Sequence, residues 1–305
     1  MRITLIHNPG AGSQARGQRK TLVALLRQAG HQVRYQSAKD DGWDQALKEP
    51  ADAIAVAGGD GTVSRVAKRM VGRGVPIAPL PLGTANNISR TLGLVERPLE
   101  ELVQGWREAR RVKLDVGVAE GPWGKRYFVE GIGAGLFTCL LDGRPERKLA
   151  RIVSSEKRVA RALQMLMERA EDCPVVELEA KVDHRNVSGR YVLFEALSIL
   201  YVGPNLFLAP DSKPGDGHFD LVLVTEAERE RLREYLAQWQ TNRERLAVLP
   251  SHRGKRLRMQ WDGFELHIDD ELWPAKKSKR KRGAIEVRLE GAAVEFLAPA
   301  SARRG

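Results

Sequence analysis

Glycine and small polar residues occupy positions 58–62 (Gly-Gly-Asp-Gly-Thr), between an apolar segment and an amphipathic one. Residues 53–57 are apolar throughout and predict a buried strand, whereas the apolar residues after position 62 recur at helical spacing. A glycine turn at a helix N-terminus presents several backbone N–H groups to one point and adds the positive end of the helix dipole. Such a turn could hold phosphate, with Asp60 and Thr62 close enough to meet a metal ion or a hydroxyl.

Two further apolar segments end in turns of similar composition. Residues 3–6 predict a strand that leads into Asn-Pro-Gly-Ala-Gly-Ser at 8–13, and residues 75–80 predict another that leads into Pro-Leu-Gly-Thr-Ala-Asn-Asn at 81–87. One glycine turn without a ligand is common in α/β proteins, so a single turn would be weak support. In an open parallel sheet, however, such turns share the carboxyl edge, where ligands bind. Three of them predict a phosphate or nucleotide site at that edge.

In this order and at this spacing, NPGAG, GGDGT and PLGTANN resemble the catalytic domain shared by diacylglycerol kinases, sphingosine kinases and their bacterial lipid kinase relatives. Residues 209–211 (Ala-Pro-Asp) and 215–221 resemble a later acidic segment of that family, and residues 294–299 resemble its terminal strand. Residues 268–271 (Ile-Asp-Asp-Glu) stand where the family usually has Asp-Gly-Glu. The resemblance covers nearly the whole chain and is weakest at about residues 120–200.

The elements and the resemblance together predict two domains. Alternating strands and helices over residues 1–115 indicate an α/β nucleotide-binding domain with a parallel sheet, of the NAD kinase/diacylglycerol kinase type, to which residues 290–305 could return. Strands of period two over residues 116–289 predict a β-rich lipid-substrate domain, a β-sandwich. Two amphipathic helices, at about 157–170 and 226–246, interrupt it and could either pack on the sheet or meet a membrane surface.

The resemblance implies phosphoryl transfer from ATP with Mg²⁺, which needs positioned phosphates and neutralised charge more than covalent help. The residues that it places against the nucleotide are Asn8, Gly58, Gly59, Asp60, Gly61, Thr62, Gly83 and Thr84. It also implies metal-site roles for Asp60, near the catalytic Mg²⁺, and for Asp216, at a second, structural divalent-ion site. Neither the Walker A pattern nor the protein-kinase catalytic loop occurs in the sequence.

For the proton acceptor, the resemblance implies Asp269, with Glu271 either supporting that base or approaching the metal. Without the resemblance, Asp-Asp-Glu would be read as an acidic surface turn. Asp270 replaces the family's glycine; an inward carboxylate there would raise the pKa of the base, and a glycine-type backbone would suit aspartate poorly. Asn86 and Asn87 are assigned to the lipid substrate, and Asn87 stands where many relatives carry an aspartate.

Composition narrows the class of protein further. The chain has 305 residues, 42% of them hydrophobic, and only two cysteines, which fits a large folded core in a reducing cytosol. Neither a signal-peptide pattern at the N-terminus nor an apolar run of membrane-spanning length is found. A cytoplasmic protein with peripheral membrane contact is therefore expected.

The net charge of +11 predicts an attraction to anionic surfaces without specifying which. The densest basic run, residues 276–282, could be a solvated hairpin loop or a contact with anionic lipid headgroups. Nucleic acid is a less attractive partner, because zinc patterns and ribonucleoprotein aromatic motifs are absent from the sequence.

The leading hypothesis is therefore an ATP-dependent lipid kinase that acts on diacylglycerol or a related lipid. Three alternatives stay open: an NAD kinase, which shares the GGDG loop; a sphingoid-base kinase; and a catalytically weak nucleotide- or lipid-binding regulator, suggested by Asp270 and Asn87. Against NAD kinase, the third loop carries Asn86-Asn87 in place of an Asn-Glu motif. The sequence identifies neither the lipid substrate nor the oligomeric state, monomer or homodimer.

Overall fold

The computed structural model describes residues 1–11, 17–142, 154–241, 246–274 and 282–300. These ranges include the predicted motifs except for Gly12 and Ser13 of the first turn and residues 276–281 of the basic run, which lie outside the described residues.

The strands form two large sheets and one short ladder. In chain order they are β1 (Arg2–His7), β2 (Gln32–Ser37), β3 (Ala53–Gly58), β4 (Ile77–Pro81), β5 (Arg110–Gly121), β6 (Gly124–Phe128), β7 (Gly131–Gly135), β8 (Val176–Leu178), β9 (Ala180–Val182), β10 (Arg185–Asn186), β11 (Gly189–Leu197), β12 (Tyr201–Val202), β13 (Leu206–Phe207), β14 (Phe219–Thr225), β15 (Ser251–Gly254), β16 (Arg256–Trp261), β17 (Leu266–Ile268), β18 (Glu271–Trp273) and β19 (Gly283–Ala298).

The described α-helices all lie in the connections between these strands. They are α1 (Gln18–Gln28), α2 (Asp60–Met70), α3 (Asn87–Thr91), α4 (Leu99–Gln104), α5 (Leu136–Asp142), α6 (Ser155–Ala170) and α7 (Arg229–Thr241). Short 3₁₀ helices occur at Trp43–Lys48, Gly105–Arg107 and Glu226–Glu228. Among the described residues, no helix combines the length and the apolar character needed to cross a bilayer.

The first sheet begins with four parallel strands in the order β2-β1-β3-β4. The apolar residues of β1 and β3 and residues 77–80 of β4 are buried on both faces, as expected of a parallel sheet covered by helices, whereas those of the edge strand β2 are partly buried. β19 pairs in parallel with β4 and antiparallel with β5 and β16, so it joins the parallel half of the sheet to an antiparallel half. The carboxyl ends of β1, β3 and β4 therefore lie together at one edge.

The second sheet follows the order β15-β14-β11-β7-β17-β18 and is antiparallel. Apolar side chains of both sheets meet in one core cluster, in which Phe128 and Leu257 of the first sheet pack with Ile132 and Leu221 of the second. The outer face of the second sheet is covered by α5, α6 and α7. This arrangement confirms the predicted fold class, an α/β N-terminal part with a parallel sheet and a β-rich C-terminal part.

The predicted domain boundary at residues 115–116 stays a prediction. β5 runs through that position, and β19 contacts strands on both sides of it.

Candidate functional site

The three glycine-bearing turns meet at the carboxyl edge of the parallel strands. Asn8 Nδ2 donates to Thr62 Oγ1 at 3.3 Å, which joins the first turn to the second. The backbone N–H of Leu82 donates to the carbonyl of Gly58 at 3.0 Å, which joins the third turn to the second. The structure therefore brings together the turns that the sequence assigned to the nucleotide.

Gly59 and Gly83 are in close backbone contact, which explains why neither position carries a side chain. A β-carbon added to Gly83 would lie 2.4 Å from Gly59 Cα and 2.6 Å from Asn86 Oδ1. Such distances are shorter than any real contact between carbon atoms, so a larger residue would push the two loops apart. The glycines thus fix the spacing between the second and third turns.

Helix α2 begins at Asp60, directly after the extended residue Gly59. The N–H groups of Thr62 and Val63 both donate to the Gly59 carbonyl, at 2.9 and 3.1 Å, and the first N–H groups of a helix have no partner within it. The N-terminal end of α2, with its positive dipole, thus faces the meeting point of the turns. This geometry suits the binding of phosphate.

A cavity of about 390 Å³ opens beside this helix end. Its polar part is lined by four carboxylates, and its apolar part is formed largely by α5 and the β12 region. The four carboxylates belong to Asp60, Glu130, Asp269 and Asp270, and the apolar lining includes Phe137, Leu140, Leu141 and Val202. The lining of the cavity therefore combines acidic groups with an apolar surface.

The Asp60 carboxylate lies between the second and third turns. Asp60 Oδ1 accepts a hydrogen bond from the backbone N–H of Ile88 at 3.0 Å, at the start of α3. Burial raises the pKa of Asp60, and backbone N–H groups of residues 86–88 offset part of that effect. Asp60 thus orients the third turn while it also lines the cavity.

Both carboxylate oxygens of Asp269 accept hydrogen bonds. Oδ1 accepts from the backbone N–H groups of Val129 and Glu130, at 3.0 and 2.8 Å. Oδ2 lies 2.6 Å from both Ser64 Oγ and Lys68 Nζ, which come from α2. The side chain is almost fully buried and connects the nucleotide helix to the second sheet.

Sequence reasoning missed Ser64 and Lys68 as members of this site. They follow Asp60 at intervals of four and eight residues, a spacing that places all three on one face of α2. That spacing was the signal available in the sequence.

Asp270 differs from Asp269 in its surroundings. The two residues form the loop of the β17–β18 hairpin, and the positive φ of 51° falls on Asp269, so Asp270 does not occupy a left-handed conformation. The expected backbone cost of replacing the family's glycine is therefore absent at position 270. Burial in the cavity and the neighbouring Asp269 charge raise the pKa of Asp270.

Glu130 is a second member that the sequence reasoning missed. It is only 8% exposed, and its Oε2 accepts from Asn87 Nδ2 at 3.2 Å. Burial, followed by the charges of Asp60 and Asp269, raises the pKa of Glu130 well above its usual value. The signal in the sequence was a single acidic residue between the apolar Phe128-Val129 and a run of glycines.

A buried pair, Glu195 and His267, supports the hairpin from the second sheet. His267 Nε2 lies 2.9 Å from the Glu195 carboxylate, and His267 Nδ1 lies 2.8 Å from the backbone carbonyl of Asp269. Burial opposes protonation of the imidazole, but Glu195 and Asp269 together outweigh it and raise the pKa of His267. Burial also raises the pKa of Glu195, against the effect of His267. This pair was missed as well, although Glu195 is a lone acidic residue inside an apolar strand.

The two asparagines assigned to the lipid have different places. Asn86 closes its own turn: Oδ1 accepts from the Gly83 N–H at 2.9 Å and Nδ2 donates to the Gly83 carbonyl at 3.1 Å. Asn87 lines the cavity and donates to Glu130 and to the Gly203 carbonyl. Of the two, only Asn87 faces the cavity, and the substrate role of both stays a prediction.

Asp216, assigned to a second metal site, lies away from the cavity. Its Oδ2 accepts from the Arg253 guanidinium, and its Oδ1 accepts from the backbone N–H of His218 at 3.1 Å. Burial opposes the effect, yet Arg253 and the His218 N–H lower the pKa of Asp216. The positive charge of the Arg253 guanidinium on the Asp216 carboxylate would repel a cation. In this position the Asp216 side chain therefore does not fit a metal ion.

Across the described ranges, no group of three or more His, Cys, Asp or Glu side chains is arranged to hold a metal ion by itself. Asp60 remains compatible with Mg²⁺, because it is a carboxylate beside the phosphate-binding helix end, and Mg²⁺ is commonly held by one or two carboxylates together with phosphates and water.

Comparison with known families shows what the N-terminal part of the chain is similar to. Residues 2–119 match the family model of the diacylglycerol kinase catalytic domain. Over these residues the chain is similar to diacylglycerol kinase catalytic domains. The match contains all three turns of the site, and it confirms the family resemblance found in the sequence.

Two bacterial relatives extend the match beyond this domain. The chain is 28% identical to the diacylglycerol kinase of Bacillus subtilis over 236 residues, which cover 74% of each chain. It is 27% identical to the diacylglycerol kinase of Staphylococcus haemolyticus over 235 residues, which cover 73% of this chain and 67% of the relative. These homologues of the diacylglycerol kinase domain indicate a lipid kinase, a phosphotransferase.

Solved structures agree on the fold of the whole chain. A diacylglycerol kinase from Bacillus anthracis superposes with a TM-score of 0.71 at 20% identity, covering 98% of this chain and 97% of the other. Yeast NADH kinase in complex with NADH superposes with a TM-score of 0.52 at 10% identity, covering 98% and 84%. The chain thus shares its fold with this diacylglycerol kinase and with this NADH kinase.

Proposed function

We propose that this protein transfers the γ-phosphate of ATP to the hydroxyl group of diacylglycerol or a related lipid. The observation that carries the proposal is the cavity in which the N-terminus of α2, a set of carboxylates and an apolar wall come together. Phosphoryl transfer needs these three features: a place for phosphates, a group to accept a proton, and a surface for the acceptor molecule.

The nucleotide would place its phosphates at the start of α2. The N–H groups of the helix end and the closely packed glycines at 59 and 83 allow a backbone approach to phosphate oxygens. Mg²⁺, when bound, would neutralise charge on the phosphates, and Asp60 is the residue best placed to hold it. Asp60 also keeps the third turn in position through its bond to Ile88.

The lipid would enter from the apolar side of the cavity. Phe137, Leu140 and Val202 offer a surface for acyl carbons near the headgroup, while the carboxylates of the same cavity would face the hydroxyl. The proton acceptor would come from the turn at residues 269–271. Generic apolar contacts of this kind do not distinguish glycerolipids from sphingoid bases, so diacylglycerol is favoured by the relatives' names.

We also propose that the protein works in the cytoplasm and visits an anionic membrane surface to reach its lipid. The net charge of +11 supports this attraction, which depends on salt and not on a particular lipid headgroup.

The loop geometry provides the test. We expect Gly83→Ala to lower ATP-dependent phosphorylation of diacylglycerol at least tenfold, because its β-carbon would lie 2.4 Å from Gly59 Cα. Gly105→Ala is the matched control, since a β-carbon at Gly105 meets no atom within 4 Å. The measurement is transfer of labelled phosphate from ATP to diacylglycerol in mixed micelles with Mg²⁺. Equal activity of the two variants would contradict the assignment of this edge to the nucleotide.

A further inference from the structure

The backbone of Asp269, the predicted proton acceptor, has a conformation that aspartate seldom adopts without support. Its φ of 51° lies in the left-handed region, which is unfavourable for residues other than glycine. The Asp269 N–H donates to the Gly131 carbonyl at 2.8 Å, and the Asp269 carbonyl accepts from His267 Nδ1 at 2.8 Å. His267 therefore fixes one side of the peptide unit that carries this carboxylate.

The two partners of the His267 ring determine where its protons lie. A carbonyl oxygen can only accept, so Nδ1 must carry a proton in order to bind Asp269. Nε2 lies 2.9 Å from each oxygen of the Glu195 carboxylate, so a proton must also lie between these two groups. The equal distances suit a ring N–H that both oxygens of an ionised carboxylate share. The geometry is therefore that of an imidazolium held by Glu195.

The pair is enclosed by the protein. The side chains of His267 and Glu195 are 2% and 0% exposed. Strand β7 places Gly133 beside both residues, and β14 places Val222 beside Glu195. Helix α5 contributes Phe137, whose ring meets the imidazole edge-on with the ring centres 6.0 Å apart. Water is thus kept from the proton that the pair shares.

The charged groups near the pair favour a protonated ring. The acidic residues that share the cavity lining with His267 are Asp60, Glu130, Asp269 and Asp270. Lys68, from α2, lies against the Asp269 carboxylate and not against the ring. Glu195 and Asp269 together outweigh burial, so the pKa of His267 is raised.

We propose that Glu195 and His267 are positioning residues for the phosphoryl transfer, which hold Asp269 in its left-handed conformation as long as a proton lies between them. This assignment rests on the proposed function. With the proton present, the Nδ1–H group fixes the Asp269 carbonyl, and the carboxylate stays in the lining of the cavity. Without it, the Nε2 lone pair faces a carboxylate, and two acceptors repel each other. The ring would then turn and release the Asp269 carbonyl.

The first experiment removes the pair without leaving a buried charge behind. In the double variant Glu195→Met/His267→Phe, apolar side chains replace both polar groups, an exchange that proteins often tolerate. We expect kcat for the phosphorylation of diacylglycerol by ATP in mixed micelles to fall about 10- to 100-fold, because a small displacement of a catalytic group is costly. The KM for ATP should stay within about threefold of the wild type, since the nucleotide loops are untouched. Glu177→Gln, at an exposed position in β8, is the control and should keep full activity.

The second experiment tests the shared proton through the dependence of kcat on pH. Glu195→Gln can donate its amide N–H to the lone pair of a neutral ring, so the bond from His267 to Asp269 no longer needs a shared proton. Because the pKa of His267 is raised, we expect the wild-type kcat to be complete at low pH and to fall as the pH rises toward about 10. The kcat of Glu195→Gln, relative to its own value at about pH 7, should stay level over the same range.

The contrary results are specific. Wild-type kcat in a folded double variant would overturn the assignment, because the pair would then serve folding and not the reaction. An equal alkaline fall in the wild type and Glu195→Gln, or no fall in the wild type, would overturn the role of the proton. Melting temperatures show whether the double variant is folded; if it is not, the two pH profiles decide. A wild type that phosphorylates no lipid would overturn the proposed function and this assignment with it, whereas an active wild type with an active double variant would overturn the assignment alone.

Discussion

Asp269 is the predicted base, and its contacts give the side chain a structural role as well. The sequence places Asp269 at the family's aspartate, and the structure places it in the cavity. Its four donors come from α2 and from the backbone at residues 129–130, so the side chain acts as a junction between the two parts of the molecule. Its role as base stays a prediction.

Glu130 gives a prediction for stability against pH. Its pKa in the folded protein is raised above the usual 4.5, so the folded state keeps a proton that the unfolded state loses. The stability from this group is therefore complete below about pH 4.5 and is lost as the pH rises through the folded-state pKa. Glu130→Gln cannot ionise, and we expect it to exceed the wild type in free energy of unfolding by about 1–3 kcal/mol at pH 8, with little difference at pH 4.

Urea denaturation at the two pH values, without nucleotide or metal, measures this difference. Glu177→Gln, at an exposed position in β8, is the control and should follow the wild type at both pH values. If Glu130→Gln is no more stable than the wild type at pH 8, the buried carboxylate does not carry the cost assigned to it.

Among the elements of the fold, strand β7 determines how the β17–β18 hairpin is supported. β7 lies between β11 and β17, and Gly133 is the register partner of both Glu195 and His267. The Glu195 carboxylate lies in the space that a side chain at Gly133 would occupy. A β-carbon added to Gly133 would be 2.2 Å from the atoms of this carboxylate. The buried pair therefore depends on a glycine in a third strand.

We accordingly expect Gly133→Ala to lower the free energy of unfolding by about 1–3 kcal/mol, because the methyl group would force the Glu195–His267 pair to move. Urea denaturation provides the measurement, and Gly105→Ala, which meets no atom within 4 Å, provides the control. Stability of Gly133→Ala within about 0.5 kcal/mol of the control would show that the pair tolerates displacement.

Elements differ in how far the sequence predicts them. The three turns, the parallel strands before them and helix α2 were predictable, because glycine spacing and apolar periodicity are local signals. The partners of Asp269 were not, since Ser64 and Glu130 lie 205 and 139 positions away from it and only the packing of two sheets brings them together. A change of sheet within the predicted β-rich region was not predictable either, as Glu179 separates β8, in the second sheet, from β9, in the first.

The net positive charge is a property of the whole molecule and predicts how the protein meets a membrane. A net charge of +11 predicts binding to anionic vesicles that weakens as salt screens the attraction. We expect sedimentation with vesicles containing phosphatidylglycerol at about 50 mM salt, much less at about 500 mM, and little with phosphatidylcholine alone at either concentration.

Replacing Lys276 and Lys277 by glutamine should weaken binding more than replacing the exposed Lys20 and Lys48, which changes the net charge equally. Equal effects would show that overall charge, and not the basic run, directs the protein to the membrane.

The whole fold is compatible with two kinds of phosphoryl acceptor, since it is shared with a yeast NADH kinase as well as with a diacylglycerol kinase. The most direct test of the central claim is therefore a choice of acceptor. Purified wild-type protein would receive labelled ATP and Mg²⁺ in parallel reactions, one with a mixed lipid extract in detergent micelles and one with NAD. We predict a labelled phospholipid in the first reaction and no labelled product in the second. Labelled NADP without labelled lipid would contradict the account.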